Sequence, residues 1–202
     1  MKKSVLLLLI PLLFVACTSV EEKQTTEVVQ QDLKDENLQK YSEIGFHYAV
    51  TTKQTLGKHL TEAIMEGGTE YALSFCHLQA IALTDSMSQL HNASITRVSD
   101  QPRNANNAAN NKELEQIQYY KDLVAEGKTG KEIQPNVERE GGKVYFYYPI
   151  LTNEMCLQCH GTKNETINPE VLALLSELYP DDKATGYKSN EVRGIWSIIF
   201  NQ

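Results

Sequence analysis

Apolar and polar positions divide this chain into segments of distinct rhythm. Val5 to Val15 is an almost unbroken apolar run, and from Thr18 to about Asn37 the chain turns polar and acidic. Residues 38–66 have a helical pattern. Leu56, Leu60 and Ile64 recur at four-residue spacing, and Tyr41, Ile44 and Tyr48 extend the stripe. Gly67-Gly68 interrupts. A second helix is predicted from about Glu70 to Leu90. It has Ala72, Phe75, Cys76, Ala80, Leu83 and Met87 on one side and Leu73, His77, Ile81 and Thr84 on the other. A helix apolar most of the way round is expected to be buried.

Ile95 to Ser99 has the composition of a short strand, and an Asn-rich stretch from Arg103 to Asn111 leads into a third helix. There Asn110 with Glu113 three residues later fits a cap with a supporting acid, and Gly127 marks the stop. Ile133–Arg139 and Lys143–Ile150 flank Glu140-Gly141-Gly142, which predicts a hairpin. Asn168-Pro169 opens another helix with Val171, Leu172, Leu175 and Leu178 as its stripe, and Tyr179-Pro180 ends it. Gly194 to Phe200 reads as a last strand. Helices in front and hairpins behind predict an α+β domain on an antiparallel sheet.

The N-terminal pattern predicts the compartment. Met1-Lys2-Lys3, the apolar run and Ala16-Cys17-Thr18-Ser19 together have the architecture of a bacterial secretory signal. The run is shorter than the roughly 20 residues that span a bilayer. Phe14-Val15-Ala16-Cys17 looks like a lipobox, so residues 1–16 are expected to be removed and Cys17 lipidated, with 17–37 as a flexible tether and 38–202 as the domain. The alternative is an ordinary signal peptide with an incidental cysteine. This places the protein as a membrane-anchored lipoprotein on the periplasmic face or cell surface. Removing Lys2 and Lys3 takes the formal net charge from -7 to -9. Such a surface repels nucleic acid and anionic headgroups, so membrane contact is expected through the lipid alone.

With Cys17 lipidated, three cysteines remain, an odd number that cannot close into disulfide pairs. Two of them stand in Cys156-Leu157-Gln158-Cys159-His160. That spacing suits thioethers from Cys156 and Cys159 to the two vinyl groups of one porphyrin, with His160 as proximal iron ligand, so one haem c is expected. A thioredoxin-like couple would sit at a helix start in a βαβ setting, and none is visible. A zinc site from Cys76, Cys156, Cys159 and a histidine is the remaining alternative, but zinc gives no reason for a histidine directly after the second cysteine. The sixth iron position stays open on the residues alone, among Met65, Met87, His47, His59, His77, His91 and the thiol of Cys76. Met155 is tethered to the proximal side. Cys76, among Ala72, Phe75, Ala80 and Leu83, reads first as a small buried hydrophobe.

Several blocks in order carry a resemblance. They are Ala63-Ile64 through Ala72 to Cys76-His77-Leu78-Gln79-Ala80; Arg97-Val98-Ser99-Asp100-Gln101-Pro102-Arg103-Asn104-Ala105-Asn106; Tyr148-Pro149-Ile150; Cys156 to Gly161; and Tyr179-Pro180-Asp181-Asp182-Lys183-Ala184-Thr185-Gly186-Tyr187, then Arg193-Gly194. From about residue 55 to 200 the chain resembles a bacterial c-type haem domain family of unknown function, found both as stand-alone cytochromes and as sensory regions. The resemblance implies a PAS-like α/β fold around one haem, with His160 and the Cys76 thiolate as axial ligands. The family's usual proline is missing around Asn104 to Ala108. Arg97, Arg103, Lys183, Tyr187 and Arg193 lie in the matched blocks and are candidates to hold the haem propionates. His77 is an alternative distal ligand, but successive helix residues point about 100° apart, so it needs the helix to turn.

Two functions fit, a haem-based redox or gas sensor and an electron-transfer cytochrome. Either needs a separate signalling or redox protein as partner. A peroxidase-like enzyme would need a distal acid-base residue, and the sequence makes no case for one.

Overall fold

The computed structural model describes residues 19–201. The expected signal peptide (residues 1–16) and Cys17 lie outside the described residues. The chain divides at Asn37 and Leu38 into two compact units, and the core lies in the second. Residues 19–37, read from composition as a tether, have helical backbone within α1 (Ser19–His91). Glu, Gln and Lys are abundant there and are good helix formers.

The interruption expected at Gly67-Gly68 is present. Gly67 (φ -146°, ψ 19°) and Gly68 (φ 76°, ψ -171°) leave helical geometry inside α1, and a φ of 76° costs glycine little. The segment beyond is not covered all round. Ala72, Leu73 and Met87 are buried, whereas Leu78 is 71% exposed and Ile81 and His77 are exposed. This corrects the expectation of a fully buried helix, because the segment packs on one side only.

Four strands form one antiparallel sheet: β1 (Ala93–Val98), β2 (Asn136–Glu140), β3 (Lys143–Leu151) and β4 (Val192–Phe200), in the order β1-β4-β3-β2. The α+β class is as expected. The hairpin turn is Gly141-Gly142, both left-handed (φ 56° and 80°), as a two-residue turn matching strand twist requires. Its first strand begins at Asn136 and not Ile133. Residues 129–133 are instead held in a turn, where the Glu132 carboxylate accepts from the Thr129 N–H and Oγ1.

Both faces of the sheet are covered. On one, Val144, Phe146, Trp196, Ile198 and Phe200 pack with Ala49 and Met87 of α1. Gly45 permits that approach, because a Cβ there would run into the Phe146 ring. On the other, Val98, Tyr147 and Ile195 pack with Ile117 and Tyr120 of α2 (Asn111–Ala125). The capping box at Asn110 and Glu113 is formed in both directions. The short helix α3 (Glu154–His160) leaves β3 directly, and α4 (Pro169–Leu178) packs Val171 and Leu175 against Leu73. Among the described residues no helix is long and apolar enough to cross a membrane.

Candidate functional site

The Cys156–His160 pentapeptide makes up the last five residues of α3. Asn153 caps it by accepting from the Cys156 N–H, and one helical turn then brings Cys156 and Cys159 to the same side. The segments around it are tied down at both ends. At the front, buried Thr152 donates to the Lys188 carbonyl at 2.6 Å and accepts from Glu191 N–H at 2.9 Å. At the back, Gly186 N–H donates to Gly161 O at 2.7 Å and Tyr187 N–H to His160 O at 2.9 Å.

The His160 ring lies within hydrogen-bond reach of two groups. Nδ1 is 2.7 Å from Ala184 O and 3.3 Å from Arg193 Nε. It cannot donate to one and accept from the other at once. The shorter contact sets the tautomer: Nδ1–H donates to the carbonyl, and the Nε2 lone pair is left free. A ligating histidine is commonly oriented this way, by a second hydrogen bond on its far nitrogen. Burial, with the Arg103 and Arg193 cations beside it, holds the imidazole well below its ordinary pKa. The ring is therefore neutral at neutral pH, the form that binds a metal. Burial pushes the Cys159 thiol up to about 11, so it too is uncharged.

These groups open into one cavity of about 380 Å³, within the range of small-molecule sites. Leu56, Leu60 and Ile64 line it from before the α1 kink, Phe75 and Leu83 from beyond it, and Trp196 from β4. Cys76 also lines it. Burial raises the Cys76 thiol, while Arg97 and Arg103 act to lower it. His77 borders the cavity edge with its ring against Tyr179, centroids 4.9 Å apart.

The arginines take different positions. Arg103, 10% exposed, forms an ion pair with equally buried Asp182 at 3.0 Å, and its Nη2 also donates to Cys159 O at 2.5 Å and Ala184 O at 3.3 Å. Arg193 donates to Ser99 Oγ at 2.7 Å and lies over the Tyr187 ring at 5.5 Å. Arg97 donates only a long bond to Ala80 O, at 3.5 Å, and its Nε is buried without a partner.

The structure thus brings Cys76, His77, Arg97, Arg103, Cys156, Cys159, His160 and Arg193 to one cavity. Lys183 and Tyr187 do not line it. Lys183 is exposed, with its backbone N–H on Pro102 O, and Tyr187 is buried behind His160 with its ring 6.4 Å from the imidazole. Thr152, Asp182 and Ala184, which fix α3 and its histidine, were not singled out from sequence. Asp182 and Ala184 stood within the Tyr179–Tyr187 block; Thr152 gave no signal. Among the described residues no three or more His, Cys, Asp or Glu side chains come together to hold a metal ion.

Apolar walls, two thiols on one helical turn, a neutral imidazole with a free Nε2, and a guanidinium whose buried Nε has no partner together fit a covalently attached haem. Each part has its counterpart in that donor set. A family model described as Tll0287-like matches residues 18–201. The crystal structure of the cyanobacterial heme-protein Tll0287 is similar in fold, with a TM-score of 0.58 at 20% identity, covering 83% of this chain and 96% of that one. No curated protein matches the chain.

Proposed function

From the premise that the chain belongs to the Tll0287-like family, we propose that it is a mono-haem c-type protein acting as a haem-based redox or gas sensor outside the cytoplasm. The observation that carries the haem reading is the state of His160: a neutral ring, fixed through Nδ1 to Ala184 O, with Nε2 left for a metal beside two thiols on one turn. Cys156 and Cys159 would hold the haem covalently, and His160 and Cys76 would ligate its iron. When bound, the iron supplies one-electron redox chemistry and a position for a diatomic ligand. Apolar Leu56, Leu60, Phe75 and Trp196 line the cavity that would receive the haem, and a Cys76 thiolate would favour the ferric state as a strong anionic donor. Lipidation at Cys17 anchors the protein in the membrane, with a separate signalling partner.

The rival is an electron carrier. It is favoured by the exposure of Met155 (38%), next to Cys156 in the lining of the cavity, since an electron carrier needs its cofactor site open to a partner. A redox titration followed by absorption, with and without carbon monoxide or nitric oxide, separates the two. A sensor exchanges or loses its Cys76 ligand on reduction and takes up the gas. A spectrum that stays six-coordinate through the titration and ignores both gases makes it a carrier.

A further inference from the structure

The charges buried at the cavity do not balance. Arg97, Arg103 and Arg193 all line it, and the one ion pair that any of them forms among the described residues is Arg103 with Asp182. The nearby Asp100 is paired with Lys121. A buried cation without a counter-ion is costly, and it is conspicuous in a chain whose net charge is -7. Arg193 at least has Ser99 Oγ and the Tyr187 ring. Arg97 has one weak bond to a carbonyl and a buried Nε with none.

Resting on the haem reading above, the structure assigns Arg97 as the anchor for a carboxylate of the bound group, one of the two propionates. Of the cationic candidates, Lys183 is outside the cavity and Arg103 is committed to Asp182 and to the backbone of the haem motif. Arg193 has a 2.7 Å bond to Ser99 Oγ and the Tyr187 ring. Arg97 is the least satisfied cavity guanidinium, with one 3.5 Å bond and an Nε buried without a partner, and a planar guanidinium pairs with a carboxylate through two parallel bonds. It stands on β1 in register with Trp196 of β4, which lines the same cavity. The alternative partner is Cys76, whose thiol also feels the Arg97 charge.

The test uses the full-length holoprotein, carrying haem labelled with 13C at both propionate carboxyls, in redox-difference infrared spectroscopy. In the wild type, isotope-sensitive carboxylate bands are expected. Arg97→Met should shift the bands of one carboxylate and leave the other's in place, whereas Arg97→Lys, which keeps the charge but not the fork, should shift them part of the way. Unchanged carboxylate bands in both variants would overturn the assignment. So would a change confined to the thiolate-to-iron charge-transfer absorption, which would give Arg97 to Cys76. Failure of the chain to take up the labelled haem, read as no covalent label in its intact mass, would remove the haem reading itself and Arg97's role with it, whereas a labelled protein without isotope-sensitive bands would overturn the Arg97 assignment alone.

Discussion

Removing the Asp182 carboxylate tests how the protein holds its candidate site. Oδ2 accepts from Arg103 Nε at 3.1 Å and Nη2 at 3.0 Å, while Oδ1 accepts from the Ala184 N–H at 2.8 Å. Both partners are 10% exposed, so neither is screened by much solvent. Asp182→Ala leaves a buried guanidinium held only by carbonyls and frees the loop whose Ala184 O fixes His160. Breaking such a pair costs about 3–5 kcal/mol, a large share of the ~5–15 kcal/mol that holds a domain together. At about 2–4 °C per kcal/mol for a domain of this size, Tm should fall by roughly 6–20 °C. Thermal unfolding by circular dichroism, with the Soret band followed in parallel, measures both effects, and the band should broaden as the imidazole loses its fixed orientation. The double variant Arg103→Met/Asp182→Leu should recover much of the stability, because no charge is then stranded. A loss below about 1 kcal/mol in the single variant, or no recovery in the double one, refutes the reasoning.

Other outcomes follow from the same geometry. Cys76→Ala should convert a low-spin ferric spectrum to high-spin or admit another ligand, and raise the reduction potential by on the order of 100 mV or more. His77→Ala should leave both nearly unchanged, and the reverse pattern would make the haem bis-histidine and move the carrier reading ahead. Asn110→Ala removes a fully formed capping box on the sheet face away from α1, and should cost about 1 kcal/mol in denaturant unfolding with no change in the haem spectrum. Cys17→Ser should release the protein from membranes or block its processing, and a wild type already free of membranes with an unmodified N-terminus would contradict the anchor.

What the sequence disclosed was local. The Asn110–Glu113 cap, the Gly67-Gly68 break and the Gly141-Gly142 turn each depend on a few neighbouring residues, and each is found where the pattern predicts it. Cys156, Cys159 and His160 are legible for the same reason. The placement of β4 between β1 and β3 is a pairing across a hundred residues that periodicity does not encode. The exposed side of the Cys76 helix was misread, since an apolar composition does not say which side finds a partner. Nor do matched blocks say which side chain points inward: Asp182 and Ala184 reach the haem motif, while Lys183 between them faces solvent.

The central claim is that Cys156 and Cys159 carry one haem covalently, with His160 on its iron. Intact-mass analysis of the chain expressed with a c-type maturation system, after acid-acetone extraction, tests this most directly. The account expects the mass of the chain plus one haem, with the red colour retained, and no covalent adduct when both cysteines are replaced by serine. A colourless protein of unmodified mass, with stoichiometric zinc bound, would contradict it.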